Sequence, residues 1–205
     1  RDEAQVEAAV AAAVARFGGI DIVINNASAI SLTGTLDTPM KRFDLMHQVN
    51  TRGTFLCTQK ALPHLLKAPN PHVLNLAPPL QPTLSPKWFG PHVAYTMAKY
   101  GMSLCVLGMA EEYRAAGVAV NALWPRTIID TEAIRLIAGQ EARSKARHPS
   151  IMADAAYWIL TQPSRKVTGQ FFIDDEVLRA SGVQDLSKYR RDGVSEDELT
   201  PDFFL

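Results

Sequence analysis

Tyr95 and Lys99 are the residues best placed to do chemistry. They lie four apart in Tyr95-Thr96-Met97-Ala98-Lys99, a spacing that puts phenol and ammonium on one face of a helix. A free phenol ionises at a pH of about 10. A neighbouring cation favours the phenolate and brings that proton toward neutral pH. Such a pair suits general acid–base work on an oxygen atom. Of the five tyrosines, only Tyr95 has a lysine four residues on. Taken alone, the pair also fits an ordinary helix-surface contact.

Three polar clusters accompany it. Asn25-Asn26-Ala27-Ser28 follows the apolar run Ile20-Asp21-Ile22-Val23-Ile24, Asn50 stands in Val49-Asn50-Thr51-Arg52-Gly53, and Trp124-Pro125-Arg126-Thr127 follows a second apolar run. Asparagine is also an ordinary turn former, and Asn50 reads equally as a hydrogen-bonded residue in a helical kink. His47, His64, His72, His92 and His148 show no metal-ligand spacing and read as helix-surface, loop or satisfied polar residues. Cys57 and Cys105 have no evident activating partner and read as core-filling. Trp88 and Phe89 either wall an apolar substrate pocket or pin their loop to the core.

The elements that must position these residues alternate. Asp2, with Gln5 three residues on, opens a helix that Gly18-Gly19 ends. A strand is expected over 20–24. Thr38-Pro39 opens a helix with proline at its first position, and a further helix runs over 48–66. A strand over 72–76 is followed by the proline-rich segment 77–91, read as loop only. A long helix over 93–115 stops at Gly117, and a strand follows over 118–123. Short helices are expected over 131–138 and 152–160, and a strand over 171–173. The strands are apolar runs, which fits a parallel sheet covered on both faces. Residues 1–182 read as one domain and 183–205 as a tail packed at a few points. The run 20–24 would be an exposed edge unless something preceded it, so further strands are expected before residue 1.

The 205 residues carry 21 basic and 21 acidic side chains. Zero net charge argues against general affinity for nucleic acid or an anionic membrane. No apolar run reaches the roughly 18 residues of a membrane span. Two cysteines make no disulfide framework. With no secretory start and no S-K-L ending, the expected compartment is the cytoplasm, and the Asn26-Ala27-Ser28 sequon carries no meaning there. From Met97 to Ala110 nearly every position is apolar or small. A helix apolar all round is buried all round, so its outer face is expected to meet a second copy, making a dimer or tetramer.

As a set, the clusters resemble the short-chain dehydrogenase/reductase family over residues 1–173. Asn25-Asn26-Ala27-Ser28-Ala29-Ile30-Ser31-Leu32, the 95–101 stretch, Asn121-Ala122-Leu123-Trp124-Pro125 and Pro201-Asp202-Phe203-Phe204-Leu205 look like its hydroxysteroid dehydrogenase-like branch. The resemblance implies a Rossmann-like, doubly wound α/β sheet, truncated here on its N-terminal side. It implies hydride transfer between NADP or NAD and a carbonyl or alcohol on a small or lipid-like apolar substrate. Tyr95 would exchange the proton and, like Lys99, contact the cofactor. Lys99 would lower its pKa and hold the nicotinamide ribose. Asn50 would anchor a water relaying protons through Lys99. Asn26 and Ala27 would lie against the cofactor. Pro125, Thr127, Ile128 and Thr131 would flank the nicotinamide.

Three positions depart from the family pattern. No G-x-G-x-x-G occurs among the twelve glycines, so the phosphate-binding turn is expected in a preceding segment of about 70 residues, at roughly 30 per βαβ unit. The residue that would choose NAD or NADP would lie there too. The usual serine is replaced by Ala77-Pro78-Pro79, leaving Thr83 and Ser85 as loop hydroxyls that either swing in or stay ordinary loop residues. Arg126 stands where the family has glycine, reading as a ligand for phosphate or carboxylate or as a solvated loop residue. The rival to an oxidoreductase is a catalytically inactive relative serving as a binding or oligomerisation module.

Overall fold

The first helix begins and ends where its sequence says. Asp2 Oδ1 accepts from Gln5 N at 2.9 Å, and Gly18, at φ 87°, donates its N–H to Val14 O at 2.8 Å. In the computed structural model, which describes residues 1–80 and 85–205, this helix is α1 (Glu3–Phe17). β1 (Ile22–Asn25), α2 (Met40–His47), a π-turn (Gln48–Arg52), α3 (Gly53–Leu65), β2 (His72–Asn75), α4 (Pro86–Phe89), α5 (Val93–Glu112) and β3 (Ala119–Trp124) follow. Then come α6 (Glu132–Ser144), α7 (Ser150–Leu160), β4 (Phe171–Ile173) and α8 (Asp174–Ala180). The four strands form one sheet in the order β1-β2-β3-β4, with β1–β2 and β2–β3 parallel. Helices flank it, as expected of a Rossmann-like α/β fold.

Several expected boundaries move, each for a local reason. Pro39 is extended (φ −63°, ψ 136°) and caps α2 rather than opening it. The helix expected over 48–66 is a π-turn followed by α3. Segment 77–91 is not all loop: Pro86 starts α4, where its missing N–H is not needed. α6 runs to Ser144 because Gly139, at φ 78°, breaks the helix without ending it. α8 went unseen, although Asp174, Asp175 and Glu176 give it the acidic first turn that a helix N-terminus favours.

The chain divides into two compact units, 1–122 with 162–171 and 123–161 with 172–205. In the first, Leu65 of α3, Val73 of β2, Met102 and Val106 of α5 and Val120 of β3 make a continuous core. Burying each such side chain contributes about 1.5–3 kcal/mol. β1 is an edge strand with Ile22 and Ile24 about half exposed. A groove of about 640 Å³ lies beside it, lined by Val6, Val10 and Phe17 of α1 with Cys57 and Ala61 of α3. In the second unit α7 packs on α8, and residues 183–205 bury Leu186, Tyr189, Leu199 and Phe204. Among the described residues no helix is long and apolar enough to cross a membrane.

Candidate active site

In the first unit, α5 and the π-turn bring the sequence-derived residues to the ends of β1 and β2. Tyr95 and Lys99 are both buried in α5. Lys99 Nζ donates to Leu76 O, just past β2, at 2.6 Å and approaches Met102 Sδ at 3.4 Å. One turn on, Ser103 Oγ donates to Pro78 O at 2.7 Å. α5 thereby clamps the segment 76–78. Asn25 lies beside Asn75 in register and donates to its Oδ1 at 2.7 Å and to Thr58 Oγ1 at 3.2 Å. These bonds fix the carboxyl ends of both strands, where open α/β sheets bind ligands.

Asn50 is fully buried, and its amide is matched to one residue. Oδ1 accepts from Ala29 N and Nδ2 donates to Ala29 O, both at 2.9 Å. What Asn50 visibly does is hold the segment after β1. Asn26 and Ala27, between β1 and that anchor, are exposed. The π-turn aims Asn50; such turns add a residue to a helix and often occur at functional sites.

The segment before α5 holds an arrangement that sequence reasoning missed. His92 Nδ1 lies 3.0 Å from Thr96 Oγ1, and that hydroxyl donates to Trp88 O at 3.0 Å. The hydroxyl has one proton, so Nδ1 is the donor in the first bond and carries the imidazole's hydrogen. Burial lowers the pKa of His92. Its ring meets that of Tyr95 edge-on, centroids 6.0 Å apart. The signal was there: His92 precedes Tyr95 by three residues, one helical turn. Phe89 stacks on Tyr100 at 5.5 Å and so pins α4 to α5, while within α4 Lys87 Nζ sits 4.5 Å from the Trp88 ring centroid. Ser85 caps α4 without a side-chain bond, and Thr83 lies outside the described residues. Among the described residues no three His, Cys, Asp or Glu side chains form a metal cluster.

The second unit carries Pro125, Thr127, Ile128 and Thr131 on the loop after β3. Ile128 N donates to Thr200 O at 2.9 Å, and Ile128 O accepts from Arg147 N at 3.0 Å. Thr131 caps α6, accepting from Ile134 N at 3.4 Å. Pro125 is buried, and the buried Thr127 Oγ1 has no partner among the described residues. Arg126, its side chain 39% exposed, is ion-paired within the chain. Its Nε bonds both carboxylate oxygens of Asp175, at 2.8 and 2.7 Å, and its Nη2 pairs with Glu176.

A parallel α/β sheet whose crossover from β2 to β3 carries a buried tyrosine–lysine pair defines a Rossmann-like domain of the dehydrogenase type. Comparison with known proteins makes the class specific. Residues 1–176 match a family described as Enoyl-(Acyl carrier protein) reductase. Over all its residues the chain is 56% identical to hydroxysteroid dehydrogenase-like protein 2 of Danio rerio, covering 48% of that protein. A crystal structure of a dehydrogenase-type protein from Xanthomonas campestris superposes with a TM-score of 0.93 at 59% identity, covering all of this chain and 73% of that one. A short chain dehydrogenase from Mycobacterium thermoresistibile gives 0.89 at 49%, covering all of this chain and 71% of that one. The chain belongs to the short-chain dehydrogenase/reductase family. It spans about half the length of the curated relatives it matches.

Proposed function

We propose that this chain carries the proton-transfer half of an NADP- or NAD-dependent oxidoreductase that interconverts a carbonyl and an alcohol on a small or lipid-like apolar substrate. The observation that carries the reading is the burial of Tyr95 and Lys99 one turn apart on α5, with the Lys99 ammonium held by Leu76 O at the end of β2. A buried ammonium with a carbonyl acceptor stays in place, and its charge acts on the neighbouring phenol through a medium of low polarity.

The residues present fit a nicotinamide dinucleotide. Within the first unit, Asn26 and Ala27 are exposed at the carboxyl end of β1, where open α/β sheets bind such ligands; within the second, the buried Thr127 hydroxyl has no partner among the described residues. When bound, the dinucleotide supplies or accepts the hydride. Tyr95 gives its proton to the carbonyl oxygen during reduction and takes it back during oxidation. Lys99 favours the phenolate form between the two steps. Asn50 keeps the segment 26–29 in place through Ala29. Ala77-Pro78-Pro79 puts no hydroxyl where the family has serine, so polarisation of the substrate carbonyl falls to Tyr95.

Tyr95→Phe tests this in the polypeptide as the source cell produces it. The ring and its packing remain while the proton is removed. Reduction of apolar ketones with NADPH or NADH should fall by about a hundredfold or more, with dinucleotide binding retained. Full retention of turnover would falsify the role of Tyr95. Dinucleotide binding without turnover in either chain would favour the inactive-relative reading.

A further inference from the structure

Residues 126–130 are held from both sides by backbone. On one side Arg147 N donates to Ile128 O and Asp130 N to Arg147 O, at 3.0 and 2.9 Å. On the other lies a segment more than seventy residues away in sequence. Thr127 and Pro201 form an antiparallel bridge. Ile128 N donates to Thr200 O at 2.9 Å and Asp202 N to Arg126 O at 3.0 Å. Pro201 stands between these bonds, at the one position where no N–H is called for. Thr200 N also donates to Lys145 O at 3.0 Å, tying all three strands of this small ladder together.

Past the ladder the segment is locked by side chains. Trp124, the last residue of β3, donates its indole N–H to Phe203 O at 2.8 Å, and its ring lies 5.7 Å from that of Phe204. Phe204 is almost fully buried and adopts φ 73°, a left-handed conformation that costs any residue with a Cβ. It is the only non-glycine residue with positive φ among those described. Strain of this kind persists where the surroundings over-determine it, and it gathers at functional sites. What the segment holds is the loop with the buried Thr127 hydroxyl, which has no partner among the described residues.

We propose that residues 200–204 are a positioning strap for the loop 125–131, and that the affinity for the dinucleotide is set by this strap as well as by the residues facing the cofactor. The inference rests on the reading of that loop given under the proposed function. Trp124 and Phe204 are positioning residues: they act through the backbone of 126–128. Without the strap, Ile128 loses its acceptor and Thr127 its fixed orientation. The loop must then be ordered by the ligand at the ligand's expense, which weakens binding.

Trp124→Phe is the primary test, because it removes one N–H and keeps an aromatic ring. Phe204→Leu is the second, removing the ring contact and keeping apolar bulk. If Trp124→Phe does not fold, Phe204→Leu carries the test on the same readouts. Both are made in the polypeptide as the source cell produces it. Amide exchange over 125–131 and titration with NADPH and NADH are followed together. Exchange in the loop should rise about tenfold while exchange in α5 stays the same. The dissociation constant should rise about fivefold to tenfold, with kcat at saturating dinucleotide within about twofold of the unmodified protein. A merely structural role would lower the folded fraction and leave the affinity of the folded molecules unchanged. Unchanged loop exchange overturns the strap. Faster exchange with unchanged affinity overturns its link to the cofactor. If the unmodified protein binds neither dinucleotide, the proposed function fails and this inference fails with it. If it binds one and both variants bind as well, only the inference is lost.

Discussion

At the scale of single residues the least comfortable group is the Asp174 carboxyl at the start of α8. It is fully buried; Oδ1 accepts from Arg126 N at 2.9 Å and Asp175 N at 2.8 Å, while Oδ2 has no partner among the described residues. Burial pushes its pKa up to about 6, against the help of those two N–H groups and of the Arg147 charge. The Asp175 carboxylate beside it acts in the same direction as burial. In the unfolded chain the group titrates at about 4. Between these values the folded state holds a proton that the unfolded state has lost, so stability from this group falls as pH rises through the window. The ceiling is about 3 kcal/mol for two units. Asp130 and Asp154, held low by Arg143 and by Tyr189 respectively, act oppositely, gaining stability as pH rises. Asp174→Asn isolates the effect. Its melting temperature should fall less, or rise more, between pH 4 and 6.5 than that of the unmodified chain, roughly the interval between the two pKa values. Parallel curves would refute the assignment. None of this was legible in the sequence, where Asp174 closes an apolar run and marks the polar end of the domain. Tyr95 and Lys99 were legible because both lie within one helical turn. Asn50 was found through resemblance to a family, but its partner Ala29, twenty-one residues away, was not.

At the scale of elements, the alternation of helix and strand could be read because each strand is a short apolar run between turn formers. The π-turn could not, since its composition does not differ from that of the helix it interrupts. α4 was hidden by prolines that exclude a helix interior yet suit a first turn, and α8 by its polar residues. The π-turn matters because α5 packs directly on it, and Gly101 makes that approach possible. A Cβ at 101 would lie 2.8 Å from Thr51 Cγ2, closer still to Thr51 Oγ1, and 3.0 Å from Thr51 Cβ. Thr51 cannot rotate away, because all three side-chain atoms are involved and its hydroxyl donates to Ala98 O at 3.0 Å. Gly101→Ala would gain helix propensity but force α5 and the π-turn apart, a net cost of about 1–3 kcal/mol. The same shift carries Asn50 away from α5. Thermal unfolding should show the loss, and amide exchange at Ala29 should rise with it. A variant as stable as the parent would mean that the π-turn gives way freely and does not hold the site's geometry.

For the whole molecule, the outer face of α5 decides how copies of the chain meet. Ala98, Met102 and Val106 are buried, yet Met97, Leu104 and Leu107 are about half exposed. Their spacing of seven and three residues places them in one row along the helix. The described residues leave this row of large apolar side chains uncovered, and zero net charge offers little repulsion between copies. We therefore propose that this row is the contact between copies of the chain. If two copies pair through it, each buries three such side chains, contributing about 1.5–3 kcal/mol apiece at full burial. Association also costs translational and rotational freedom, so further residues must take part. Light scattering on the unmodified protein at micromolar concentration should give a dimer or tetramer. Replacing Leu104 and Leu107 together with arginine should give a monomer with unchanged far-ultraviolet dichroism. The positions are already exposed in the single chain, so the charges need not enter its core. A monomer before substitution would remove the interface. Persistence of the oligomer in the double variant would move it to another face, leaving the apolar row on α5 without an explanation from self-association.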